Sequence, residues 1–118
     1  MLAFVVTDLA VEPAFLRAAL GEAVTPTFNA LTIDVEEYFH AHAYEQAIDR
    51  ASWDRLPSRV AANTRRVLDV LRAHATRATF FVLGWVAERH PDLVREILAG
   101  GHELATHGHM HELLYRQT

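Results

Sequence analysis

Ala78-Thr79-Phe80-Phe81-Val82-Leu83-Gly84 is an unbroken run of apolar and β-forming residues closed by a glycine. Continuous apolar character, without alternation, predicts a strand buried on both faces of a parallel sheet. Upstream, Pro57-Ser58 opens a predicted helix. Val60, Val67, Leu68 and Leu71 recur at helical spacing there, while Arg65, Arg66, Asp69 and Arg72 face elsewhere. Downstream, Pro91 suits the first turn of another helix, with Leu93, Val94, Ile97 and Leu98 as its apolar side. Gly100-Gly101 stops it. Two further short strands follow from the pattern: Ala30–Asp34, ending in an acid, and His102–Thr106, running into His107. Strand, loop, helix, strand, helix, strand is the order of parallel βαβ units with right-handed crossovers, an α/β fold. Val35–Ser58 is long, aromatic and acidic, and reads as an irregular connection of the functional kind.

The chain has 118 residues and a mass of 13.3 kDa, one domain or less. A complete (β/α) barrel takes roughly 200 residues or more, so about three parallel strands with helices would form only part of one. Apolar residues at 51% and charged residues at 22% exclude an intrinsically disordered chain. A net charge of -4 without a basic stripe disfavours nucleic acid and anionic membranes as partners. The absence of cysteine excludes disulfides, thiol catalysis and cysteine-ligated zinc. Leu2–Val6 is too short for a secretory signal and follows no basic residue. No window has the roughly 18 apolar residues of a membrane span, and the chain as given reads as cytoplasmic. Residues 1–29 read as an N-terminal extension, with a short amphipathic helix over Glu12–Ala23 carrying Phe15, Leu16, Ala19 and Leu20 on one side. Residues 30–118 read as the domain proper.

Ligands of parallel α/β folds gather at the carboxyl ends of the strands. Two predicted strands end there on candidate ligands. In Asp34-Val35-Glu36-Glu37 the first and third residues point the same way if the chain is extended. One carboxylate could then hold a metal while the other takes a proton. In His107-Gly108-His109-Met110-His111 the outer histidines are four apart, and one helical turn would bring them to a common ion. Two imidazoles plus a carboxylate leave a position open for water, the arrangement of a catalytic rather than a structural zinc. His109 would point elsewhere, His102 is at the opposite end of its strand, and His74 and His90 sit at helix ends as caps. His40 and His42 read as loop histidines without a further role. Tyr38, Phe39, Tyr44 and Trp53 suit either a core or sugar stacking.

Leu31-Thr-Ile-Asp-Val-Glu-Glu-Tyr-Phe39, Ala78–Gly84 and Gly101-His-Glu-Leu-Ala-Thr-His-Gly-His-Met-His-Glu112, taken in order, resemble the polysaccharide deacetylases with a NodB-homology domain, carbohydrate esterase family four. The Asp-Val-Glu-Glu-Tyr-Phe wording is most similar to the exosortase-associated subgroup of bacterial exopolysaccharide systems. The likeness covers about residues 30–118. It implies a distorted, here partial, (β/α) barrel and a divalent metal, usually zinc. The implied reaction is hydrolysis of N-acetyl groups on sugar polymers or of related non-peptide C–N bonds. By the family pattern Asp34 is the general base, and Glu36, or else Glu37, binds the metal with His107 and His111. The commoner form has two adjacent aspartates, where this chain has Val35 after Asp34, and Ser or Thr where it has Gly108. The family's later motifs, with a base-positioning arginine and a general-acid histidine, do not follow His111. The resemblance therefore implies the N-terminal part of a deacetylase, weakly active or inactive. Alternatives are a non-catalytic metal-binding or assembly fragment that self-associates through an open sheet edge, and a cyclic amide or imide hydrolase on the same barrel.

Overall fold

The computed structural model describes residues 4–5, 29–113 and 115. The expected helix over Glu12–Ala23 lies outside the described residues. A four-stranded sheet carries the fold, in the order β1 (Phe4–Val5), β2 (Thr32–Val35), β3 (Thr79–Val82) and β4 (Glu103–Thr106). Strands β2, β3 and β4 run parallel, in register Asp34 to Phe81 and Phe81 to Ala105. β1 adds an antiparallel edge, Phe4 opposite Ile33. Three parallel strands with helices in an open sheet are the α/β, partial-barrel architecture expected from the chain.

Helix α1 (Val60–Ala73) joins β2 to β3, and α2 (Gly84–Arg89) with α3 (Pro91–Ala99) joins β3 to β4. One sheet face is sealed by Ile33 and Val35 of β2 and Phe80 and Val82 of β3. Val60 and Leu71 of α1, Trp85 and Val86 of α2, and Leu93 and Ile97 of α3 close over them in a single core. Burial of these side chains is the main stabilising term, roughly 1.5–3 kcal/mol for each large one.

The structure departs from the expected pattern in several places. β3 is not buried equally on both faces: Phe80 and Val82 are buried, whereas Thr79 and Phe81 on the other side are only partly covered. Among the described residues the helices pack on one face, so the sheet alternates as a half-covered sheet does. Leu98, expected on the apolar side of α3, is exposed, because the core-facing stripe of that short helix is used up by Leu93 and Ile97. α2 appears where only a strand end was expected. The connection after β2 is a series of 3-10 turns, Tyr38–His40, His42–Tyr44 and Arg50–Arg55, rather than an irregular loop. Phe39 and Trp53 from it are core residues, Tyr38 is partly covered beneath the Arg59 guanidinium, and Tyr44 is exposed. Among the described residues no helix is long and apolar enough to cross a membrane.

Candidate metal centre

The carboxyl ends of β2 and β4 are one strand apart, and the site forms between them. β2 delivers Asp34, partly covered, and the chain just past its end delivers Glu36, which is buried. β4 ends at Thr106 and the segment 107–111 bends back over the same end of the sheet. His107 Nδ1 lies 4.0 Å from Asp34 Oδ1, and His111 Nε2 lies 3.4 Å from Glu36 Oε2. The two imidazole rings stand 5.0 Å apart, centre to centre. Two carboxylates and two histidines thus converge from segments about seventy residues apart in sequence.

The histidines reach this position by a route other than the expected helical turn. Residues 107–111 are not helical; Gly108 has φ +79° and His111 φ +53°. The left-handed conformation at 108 suits glycine and opposes the Ser or Thr more usual in the family pattern. At His111 a non-glycine residue holds that conformation, at a cost of roughly 1–2 kcal/mol. Such strain recurs where side-chain aim matters more than backbone comfort.

The neighbouring glutamates have different surroundings. The carboxylate of Glu37 is turned to the start of α1. It accepts hydrogen bonds from the backbone N–H of Arg59, at 3.0 Å to each oxygen, from Val60 N–H at 3.2 Å, and from the Ser58 hydroxyl. It serves as a long-range N-cap, satisfying amides that the helix itself leaves free. Glu36 Oε2 is buried and has no hydrogen-bond partner among the described residues. Burial raises the Glu36 carboxyl above its ordinary range, and His111 and His107 pull the other way. A buried, unpartnered carboxylate oxygen beside two imidazoles is costly unless something positive joins it.

A divalent cation fits this arrangement. Glu36, His107 and His111 each offer one ligand atom, and these lie within 4.8 Å of one another. Two ligands about 2.0–2.2 Å from one tetrahedral ion stand roughly 3.4 Å apart, the separation found between Glu36 and His111.

The remaining histidines sort by environment. His109 is exposed and is no part of the ligand group. His102 is buried and accepts from Ala78 N–H at 3.3 Å; burial and then Arg77 lower its pKa, consistent with a structural role. His74 and His90 occupy helix ends as caps, as expected, through their backbones. His74 N–H donates to the Val70 and Arg72 carbonyls at the end of α1, and His90 N–H donates to Val86 C=O at the end of α2, while the His90 side chain makes no cap hydrogen bond to α3. His40 corrects the loop reading. It is buried among Phe39, Trp53 and Trp85, and its Nδ1 accepts from Glu37 N–H at 3.0 Å. Burial, reinforced by the positive charges of His111, Arg89 and Arg50, pushes it down to about 4. Its aromatic neighbours along the sequence were the available sign, but Trp85 comes from a distant element.

Residues 50–118 match the family model described as polysaccharide deacetylase. The match takes in His107 and His111 and lies downstream of Asp34 and Glu36. A chitooligosaccharide deacetylase of Rhizobium leguminosarum bv. trifolii is 52% identical over 48 residues, 41% of this chain and 22% of that protein. A peptidoglycan-N-acetylglucosamine deacetylase of Bacillus cereus is 35% identical over 79 residues, 65% of this chain and 28% of the relative. One of Listeria monocytogenes is 42% identical over 55 residues, 47% of this chain and 12% of its own length. The chain spans less than a third of the length of these relatives. With the family model matched over more than half of its residues, the chain belongs to the polysaccharide deacetylase family.

Proposed function

We propose that this chain carries the metal ligands and the general base of a hydrolase that removes N-acetyl groups from sugar polymers. The observation behind the reading is the convergence of Glu36, His107 and His111, with Asp34 Oδ1 4.0 Å from His107. Zinc is the metal that two imidazoles and one carboxylate suit best. When bound, the ion would polarise an acetyl carbonyl and acidify water. Asp34 is only partly covered, so its carboxylate is open to take a proton from attacking water. Glu36 supplies negative charge to the ion from a buried position. The similarity to chitooligosaccharide and peptidoglycan-N-acetylglucosamine deacetylases favours an N-acetylglucosamine polymer over a cyclic imide. The Asp34–Phe39 wording supports an exopolysaccharide setting.

The test uses the purified chain at stoichiometric concentration with chitooligosaccharide over long incubation, so that a slow reaction registers. Zinc-dependent acetate release, lowered at least ~10²-fold by Asp34→Asn, is the expected result. A chain that binds no zinc at Glu36, His107 and His111, or a zinc-loaded chain that instead opens dihydrouracil, overturns the deacetylase reading.

The same reading includes self-association. β4 is the parallel edge of the sheet among the described residues, opposite the β1 edge, and Leu104 on it is exposed. Unpaired edges recruit further strands. Light scattering should show species larger than a monomer, reduced by Leu104→Lys; a folded monomer at all concentrations overturns this.

A further inference from the structure

We infer that Gly84, at the start of α2, is a positioning residue for the metal-binding segment 107–111, and that it acts by leaving room for His109. The inference rests on the metal reading of Glu36, His107 and His111.

The parallel pairing of β3 with β4 continues past both strands. His107 N–H donates to Val82 C=O at 3.0 Å, Gly84 N–H donates to Gly108 C=O at 2.9 Å, and Trp85 N–H donates to His109 C=O at 3.0 Å. Three successive residues of the histidine segment are therefore held by backbone bonds to the β3–α2 junction. The segment has no helical or strand bonding of its own to fix its path, so these bonds set where His107 and His111 aim.

At this seat the His109 side chain occupies the space that a Cβ on Gly84 would need, with the His109 backbone close behind it. A Cβ built on Gly84 would stand 2.3 Å from His109 Nδ1, and 3.2 Å from both its Cγ and its Cα. The first distance is far inside van der Waals contact, and the last involves backbone. A methyl group at 84 would push His109 outward and carry the neighbouring ligands with it. Gly108 is required for a different reason: a Cβ there meets nothing within 4 Å, but φ is +79°. One glycine sets the shape of the segment and the other its distance from the sheet. The exposed His109 ring lies over Gly84 and takes no part in the ligand group. Shortening this side chain should relieve the conflict created by a methyl at 84.

The experiment measures zinc affinity, by competition with a chromophoric chelator, for the unaltered chain, Gly84→Ala, His109→Ala and the double variant, with circular dichroism for folding. Gly84→Ala should bind zinc ~10–100-fold more weakly, the range for residues that support metal ligands. His109→Ala should stay within ~3-fold of the unaltered chain, because its carbonyl still accepts from Trp85, and the double variant should recover to within ~5-fold. Undiminished affinity in Gly84→Ala overturns the inference, as does a loss that His109→Ala fails to relieve. If Gly84→Ala does not fold, a folded, zinc-binding double variant supports the inference and an unfolded one overturns it. An unaltered chain that binds no zinc defeats the metal reading itself, a separate outcome.

Discussion

His111 Nε2 stands 3.4 Å from Glu36 Oε2 across seventy-five residues of sequence, and no hydrogen bond satisfies that carboxylate oxygen among the described residues. The relationship distinguishes Glu36 from Glu37. Glu36→Gln should abolish tight zinc binding, with a loss of at least ~10-fold in affinity, because the amide loses both the charge and the better oxygen donor. Calorimetric titration reads it. Affinity unchanged in Glu36→Gln would remove Glu36 from the ligand set.

Glu37→Gln should act on stability instead. It leaves the ligand group intact and weakens the cap on α1, where the carboxylate accepts from Arg59, Val60 and Ser58. The expected loss is about 1–2 kcal/mol. Thermal unfolding of the metal-free chain measures it, with zinc stoichiometry retained once the chain is folded.

The metal-free chain should lose stability as pH falls from about 6.5 to about 4. His40 takes up a proton near 6.5 when unfolded but is pushed down to about 4 in the folded chain. Between those values the unfolded state binds more protons, so acid favours unfolding, by on the order of 3 kcal/mol once pH reaches 4. A proton on Nδ1 would also turn the acceptor of the Glu37 N–H bond into a donor. Urea unfolding at a series of pH values in a chelator checks this. His40→Asn, which keeps an acceptor and does not titrate, should flatten that part of the profile.

His111→Gly and His111→Ala should both remove zinc binding yet differ in stability. The φ of +53° at this position costs a non-glycine residue roughly 1–2 kcal/mol, so the glycine variant should be the more stable metal-free chain by about 1 kcal/mol. Equal midpoints in denaturant would show that the strain is not borne at His111.

The run Ala78–Gly84, the stops at Gly100-Gly101 and the helical spacing of Val60 to Leu71 suffice to establish parallel βαβ units. Periodicity and punctuation are local properties, readable from neighbours along the chain. The chemistry of the site was legible in the same way, as residue types placed just past strand ends. Short elements escaped: α2 has only six residues beginning with Gly84, too few for a periodic signature, and its seat for His109 is a contact between distant segments. Tertiary structure alone decided which glutamate faces the histidines. Glu36 and Glu37 are identical in composition and adjacent in sequence, but neighbouring side chains of a chain leaving a strand diverge, and the free amides of α1 claim one of them. It decided likewise that His107 and His111 meet without a helix. The meeting depends on left-handed turns at Gly108 and His111 and on the backbone of β3 and α2 beneath them, relations of packing and hydrogen bonding that spacing does not encode.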